Sequence, residues 1–278
     1  MSSFKKKPII RTSRNKKRYE VNSISINTDL NTDLNIFRNL NVSVCIHCAN
    51  LEIFKDLITY VKNFEEFKWK RLQIIVNVVI DFVDKDIIQQ LIKDTFKSAH
   101  FIIVKSRNIG LDIGGFLKCS EYIKEDDHII AKIHTKGRIE WRHGLMKIFT
   151  KEGIYNSVKL LHYEKIGMVG NNNQLWDFYK NVNMSHKDNI HRICNHLHIR
   201  YDEMNLHNGF LIGGTIFMCK KNIINDVIKF RKNLYQFCNG KDDYYKNPNA
   251  FRFELAMERL FGYLVYHYKK HIVGLISN

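Results

Sequence analysis

The run Lys132-Ile133-His134-Thr135-Lys136 alternates polar and apolar residues, with Arg138, Trp141 and Arg142 close behind. In an extended strand alternate side chains share a face. Three cationic or protonatable groups therefore converge at one strand end, which makes an anion site. Repulsion among them is costly unless a phosphate or carboxylate compensates it. Without such a partner the same run is a solvated basic edge. A second segment, Ser106-Arg107-Asn108-Ile109-Gly110-Leu111-Asp112-Ile113-Gly114-Gly115-Phe116, sets three glycines, an Arg, an Asn and an Asp at the mouth of a helix. Free amides and a small backbone there could approach a phosphate or ribose. The glycine order is not that of a dinucleotide fingerprint, and the bland alternative is a Gly-rich turn with Asp112 capping the helix. Further on, Gly213-Gly214 reads as a bend or a close backbone approach. Glu254 and Glu258 stand one turn apart on a helix, where one could serve as a general base or simply pair with a basic neighbour such as Arg259.

Two other groupings carry less. Cys45-Ile46-His47-Cys48 has no second ligand pair, and a strand would turn its two cysteines to opposite faces, so zinc is not expected. His186, His191, His196, His198 and His207 follow no metal-binding frame and read as surface or loop residues.

Hydrophobic periodicity supplies the elements that must position these groups. Val42–His47, Leu72–Ile80, His100–Val104 and Asp127–Ile133 are β-rich runs. Between them, Leu51, Phe54, Leu57, Ile58 and Val61, then Ile87, Ile88, Leu91, Ile92 and Phe96, recur at helical spacing, and a third helix is expected over Phe116–Ile123. Strands alternating with helices imply right-handed crossovers and an α/β fold with a mainly parallel central sheet. In such sheets ligands bind beyond the C-terminal ends of the strands, where the two basic and Gly-rich loops lie. The second half predicts a helix over Lys151–His162, a strand over Ile166–Val169, a polar stretch from Asn171 to Asn208, one strand over Phe210–Cys219, a helix from Asn222, a polar loop over Asn239–Asn249 and a helix over Phe251–Lys269.

Composition limits the class. The chain has 278 residues, 45% hydrophobic, with a formal charge of +16 and six cysteines, so it can bury a core and is neither disordered throughout nor a disulfide scaffold. Reduced thiols in a cytosol-like compartment are expected. No run is long and apolar enough to span a membrane. Residues 1–20 hold eight basic residues and one acid, so seven of the sixteen net charges sit in a terminal segment. Residues 1–40 read as a basic, Asn/Ser-rich disordered arm, solvated or tethered to anionic lipid or a partner, and 41–278 as one domain. The folded part shows no nucleic-acid motif.

Taken together, Asn108-Ile-Gly-Leu-Asp112-Ile-Gly-Gly-Phe-Leu117, Lys132-Ile-His-Thr-Lys136 with Trp141-Arg142, Gly213-Gly-Thr-Ile-Phe217 and Glu258-Arg-Leu-Phe261 resemble, in order, the motifs of the rhamnan synthesis protein F family. The resemblance runs from Val42 to Tyr263. It implies a GT-A-like glycosyltransferase fold, a nucleoside-diphosphate sugar as donor, often a deoxysugar such as rhamnose, and a glycan or lipid-linked glycan as acceptor. In those terms Arg107, Asn108, Gly110 and Asp112 would contact the donor. His134, Lys136 and Arg142 would face its diphosphate, Gly213, Gly214 and Thr215 would form the acceptor side, and Glu258 or Glu254 would be the base. GT-A proteins usually carry an Asp-x-Asp metal motif where this chain has Lys132, His134 and Lys136, so no essential metal or other cofactor is expected. The competing reading is a catalytically degenerate module that binds a glycan or an anion.

Overall fold

The computed structural model describes residues 35–182, 184–207, 209–240 and 252–275. Most of the expected basic arm lies outside them. Its last residues do not: 35–38 form a helical turn, and Phe37 is fully buried and stacked on Phe67 at 4.5 Å, so packed structure begins before Asn41.

Four parallel strands form one half of a seven-stranded sheet: β1 (Asn41–Cys48), β2 (Arg71–Val79), β3 (His100–Ser106) and β4 (Ile129–His134). They are joined by α1 (Leu51–Val61), α2 (Lys85–Thr95) and α3 (Leu111–Cys119). Asn50 and Asp84 start α1 and α2 by accepting backbone N–H bonds with their side chains, as N-caps do. The strand face toward α1 and α2 is apolar, while the opposite face mixes Ser43, His47, Gln73 and Asn77 with Cys45 and Ile75. Val42, Val44, Ile46 and Cys48 pack with Ile74, Val76 and Val78 under α1 and α2, whereas Cys45 and Ile75 face α3. Cys45 and Cys48 thus point to opposite faces, as the strand reading requires. The full order is β3-β2-β1-β4-β8-β5-β9, with β5 (Ile166–Asn171), β8 (Phe217–Lys220) and β9 (His271–Leu275) completing it. Only β8 runs antiparallel, wedged between β4 and β5, so the sheet is mainly parallel.

Several elements depart from the periodicity. The helix expected over Phe116–Ile123 is α3, and it begins at Leu111: Gly110, at φ +73°, is its N-cap, and Gly114 and Gly115 lie inside it. These glycines are packing residues. A Cβ on Gly115 would meet the His47 ring at 2.1 Å, and one on Gly114 would meet the Ile109 carbonyl oxygen at 1.9 Å. The expected single strand over Phe210–Cys219 is two. β7 (Phe210–Ile212) pairs with β6 (Leu175–Asp177) in a separate ribbon, and β8 joins the main sheet. Between them Gly214 and Thr215 take positive φ, 84° and 51°, which ends the extended run.

The helices α4 (Ile139–Met146), α5 (Lys151–His162), α6 (Met184–His196) and α7 (Phe253–His267) cover most of the rest. The helix expected from Asn222 is broken into short pieces over Lys221–Ile224, Asn225–Lys229 and Arg231–Tyr235, and most of the loop expected over Asn239–Asn249 lies outside the described residues. The polar stretch after Asn171 is therefore largely helical. Ile190, Ile193, Cys194 and Leu197 keep helical spacing among the Asn and His residues and are buried in the same cluster as the apolar side of α7. Among the described residues, no helix is long and apolar enough to cross a membrane.

Candidate functional site

β1, β2, β3 and β4 end on one edge of the sheet. Because β8 is antiparallel, its N-terminal end and the Gly213–Ile216 turn reach the same edge. On β4 the alternation sends Lys132 and His134 to the face that carries Ile130, toward α3, and both are buried. Asp112, in the first turn of α3, meets them. Its Oδ2 accepts the Lys132 ammonium at 2.6 Å and the Thr215 hydroxyl at 2.6 Å, and lies 3.5 Å from His134 Nδ1. Lys132, 1% exposed, also donates to the Thr215 carbonyl at 3.1 Å and Oγ1 at 3.0 Å. The strained Thr215 backbone thus serves to aim both of its oxygens at the ammonium.

Burial works against a charge on Asp112. His134 and Lys132, with hydrogen bonds from Lys132 and Thr215, more than offset it and hold the carboxyl well below the usual carboxylate range. Lys132 acts on the carboxyl both by its charge and by a hydrogen bond, and the Thr215 hydroxyl adds a second hydrogen bond. Burial, followed by the nearby Lys132 and Lys136 cations, pushes His134 down to about 3 against the pull of Asp112. The imidazole is therefore neutral near pH 7, and the positive charge of the site belongs to the lysines.

Lys136 lies just past β4, half-buried, with its ammonium 3.9 Å above the Trp141 ring. Among the described residues it has no carboxylate within ion-pair distance. Burial lowers its pKa, Asp112 and Glu258 raise it, and Lys132 and Arg138 lower it further. The ammonium thus stands in the field of two carboxylates without being neutralised by either. Arg142 holds its backbone: Nη1 donates to the Lys136 carbonyl at 2.7 Å and Nε to Asp56 Oδ2 at 2.8 Å. The guanidinium is engaged there and positions Lys136.

The two glutamates on α7 separate clearly. Glu258 Oε1 accepts the Gly214 N–H at 2.7 Å, and Oε2 accepts Arg259 Nη1 at 2.8 Å, which brings this carboxylate to the turn that holds Thr215. Glu254, 4% exposed, accepts the Asn239 N–H at 2.8 Å and its side-chain amide at 3.2 Å. The Asn239 carbonyl in turn accepts the Gly110 N–H at 2.7 Å. Glu254 and Gly110 therefore lock α7 to α3, and the Gly110 amide is spent inside the protein. Arg107 is exposed at the rim after β3, and Asn108 donates its N–H to Asp81 Oδ2 at 3.3 Å while its own buried Oδ1 has no hydrogen-bond partner.

Sequence reading passed over a polar row beneath this cluster. His47 Nδ1 lies 2.8 Å from Asn77 Oδ1, and Asn77 Nδ2 donates to Ser106 Oγ at 2.8 Å, linking the ends of β1, β2 and β3. Burial lowers the His47 pKa as well. The available signal was a His and an Asn near the C-terminal ends of two strands whose other polar residues, Asn41, Ser43, Arg71 and Gln73, lie toward their N-terminal ends.

Two buried neutral histidines give a pH dependence of definite sign. Below about pH 6.5 the unfolded chain binds protons that His47 and His134 cannot take up in the fold, so stability falls with pH down to the depressed pKa values. Between pH 7 and 5, His134 accounts for about 2 kcal/mol of loss. Urea unfolding at pH 7 and pH 5 should show a clear drop in the wild type and a smaller drop in His134→Asn. Equal drops would contradict a neutral His134.

The end of β4, where the resemblance sets Lys132, His134 and Lys136 in place of a metal-binding motif, offers one carboxylate, already bonded to an ammonium and a hydroxyl, beside a second ammonium and a neutral imidazole. That donor set does not suit a hard divalent cation, which takes several oxygen ligands. Among the described residues, no group of three His, Cys, Asp or Glu stands together for a metal.

A family model described as rhamnan synthesis protein F matches residues 6–270. The chain belongs to that family. Membership makes this rhamnan synthesis protein F relative a polysaccharide-related, glycosyltransferase-like protein, and the match extends into the basic N-terminal segment. No curated protein matches the chain. Among solved structures, 4-diphosphocytidyl-2C-methyl-D-erythritol synthase from Anaerococcus prevotii DSM 20548 is similar at 9% identity over 87% of this chain and 90% of that one, with a TM-score of 0.43. A likeness that distant contributes nothing to the assignment.

Proposed function

We propose that this protein is a GT-A-like glycosyltransferase. It moves a sugar, rhamnose or another deoxysugar by family, from a nucleoside-diphosphate donor to a glycan or lipid-linked glycan, without an essential metal. One observation carries the reading: the unneutralised, half-buried Lys136 ammonium at the C-terminal edge of the parallel strands, with the Asp112–Lys132–Thr215 cluster and the Glu258 carboxylate nearby. A fixed cation where negative charge develops does the electrostatic work that a metal does elsewhere.

In an inverting transfer the acceptor oxygen forms a bond to the anomeric carbon as the bond from that carbon to the diphosphate oxygen breaks. Glu258 takes the acceptor proton, and the diphosphate leaves with the bonding pair, its charge met by Lys136. Asp112 and Lys132 hold the floor of the site, neutral His134 is placed to hydrogen-bond, and Arg107 and Asn108 lie on the nucleotide side. Gly213, Gly214 and Thr215 form the acceptor side.

A screen of nucleoside-diphosphate sugars with oligosaccharide acceptors, scored by mass spectrometry for free nucleoside diphosphate and extended glycan, tests this. The expected result is release of diphosphate and a product one sugar longer for at least one pair, with chelator present. Binding without turnover of any donor would assign the protein instead to the degenerate binding class.

A further inference from the structure

The chain has three tryptophans, and they divide by surroundings. Trp69 belongs to the core: it packs on Phe37, Phe64 and Phe67, and its Nε1 donates to the Phe64 carbonyl at 2.7 Å. Trp141, on α4, and Trp176, on β6, instead line an open cleft of about 870 Å³ together with Gln174, Arg138, Ile139 and Glu140. Their rings are near-parallel at 21° with centroids 6.1 Å apart, an offset stack that leaves part of each indole uncovered.

The surrounding backbone is shaped to hold this pair in place. A Cβ on Gly213 would lie 2.4 Å from the Trp176 ring, and one on Gly214 would lie 3.2 Å from Trp141. The glycine pair is thus the floor on which the indoles rest. Gln174 Oε1 accepts the Trp141 Nε1 hydrogen at 2.8 Å, fixing that ring's orientation. Ile139, 60% exposed, extends the apolar surface, while Arg138 and Glu140 supply a polar rim. The cleft is wide open, and its lining mixes apolar and polar surface in nearly equal shares. Flat apolar rings beside hydrogen-bonding groups match the chemistry of a saccharide, which presents C–H faces and hydroxyl edges at once.

The cleft adjoins the site described above. Lys136 lies on the Trp141 ring, and Gly214, beneath that ring, donates its N–H to Glu258. We propose that the Trp141–Trp176 cleft is the acceptor subsite and takes a sugar ring of the growing glycan by stacking, with its terminal hydroxyl directed to Glu258. This rests on the transferase reading of the adjoining site.

Calorimetric titration of the full chain with a rhamnose trisaccharide, maltotriose and chitotriose, and separately with UDP and dTDP, tests it. At least one trisaccharide should bind. Trp176→Ala should weaken that binding by about tenfold or more while nucleotide affinity holds. Ile139→Asp alters an exposed residue that the fold does not need, and it should weaken saccharide binding as well. Nucleotide binding with no trisaccharide binding overturns the subsite and leaves the transferase reading standing. Trisaccharide affinity unchanged in Ile139→Asp and Trp176→Ala also overturns it. Trisaccharide binding that depends on Trp176, with no nucleotide binding, supports the cleft and removes the transferase reading.

Discussion

Glu258→Gln is expected to lower sugar transfer by about 10²- to 10⁴-fold, the usual contribution of a positioned general base, while the fold and donor affinity stay close to wild type. The amide keeps an oxygen that can accept the Gly214 N–H, so the turn holding Thr215 on Lys132 is preserved. What is lost is the capacity to take a proton, together with the acceptor for Arg259 Nη1. Each carboxylate oxygen of Glu258 receives one hydrogen bond, from Gly214 and from Arg259, and a carboxylate has lone pairs for about four. Lone pairs that could take an acceptor hydroxyl remain unused. Glu254→Gln is the matched control: its carboxylate is occupied by Asn239 behind the Gly110 turn, so its substitution should act on stability and leave most of the turnover. Unchanged turnover in Glu258→Gln, or a larger loss in Glu254→Gln, would reverse the assignment.

The first half of the fold was legible because β1 to β4, α1 and α2 state their burial in the order of their residues: Ile74, Val76 and Val78 under one layer, Ile75 under the other. Elements that hide were the ones whose burial is diluted. The segment Ile139–Met146 mixes Arg142 and His143 with few apolar residues, and α6 carries its apolar stripe among Asn and His. β9 is only five residues long and directly follows a long helix. Gly114 and Gly115 look like loop residues in sequence, and only the 2.1 Å approach of a Cβ on Gly115 to His47 shows that they let a helix press on the sheet.

The site was half legible. Alternation on β4 put Lys132 and His134 on one face, as found. Types alone could not show that Lys132 is consumed by Asp112 and Thr215, that His134 is neutral, or that Arg142 is turned to Asp56. Those outcomes depend on a positive φ at Thr215 and on contacts spanning 20 to 103 residues of chain.

Lys136 is left as the group on which the account turns. A charge-assisted hydrogen bond to an anion contributes about 1.5–3 kcal/mol, so removing this ammonium should weaken diphosphate binding by roughly ten- to hundredfold. Lys136→Ala leaves the buried Asp112–Lys132 pair intact, and its effect should be felt by UDP and dTDP but not by the uncharged nucleosides. Calorimetric titration of UDP and dTDP in EDTA, wild type against Lys136→Ala, is therefore the most direct measurement. The account predicts binding by the wild type in chelator and a loss of that size in the variant. Binding that appears only when manganese or magnesium is supplied, or equal affinity in the two proteins, would contradict it.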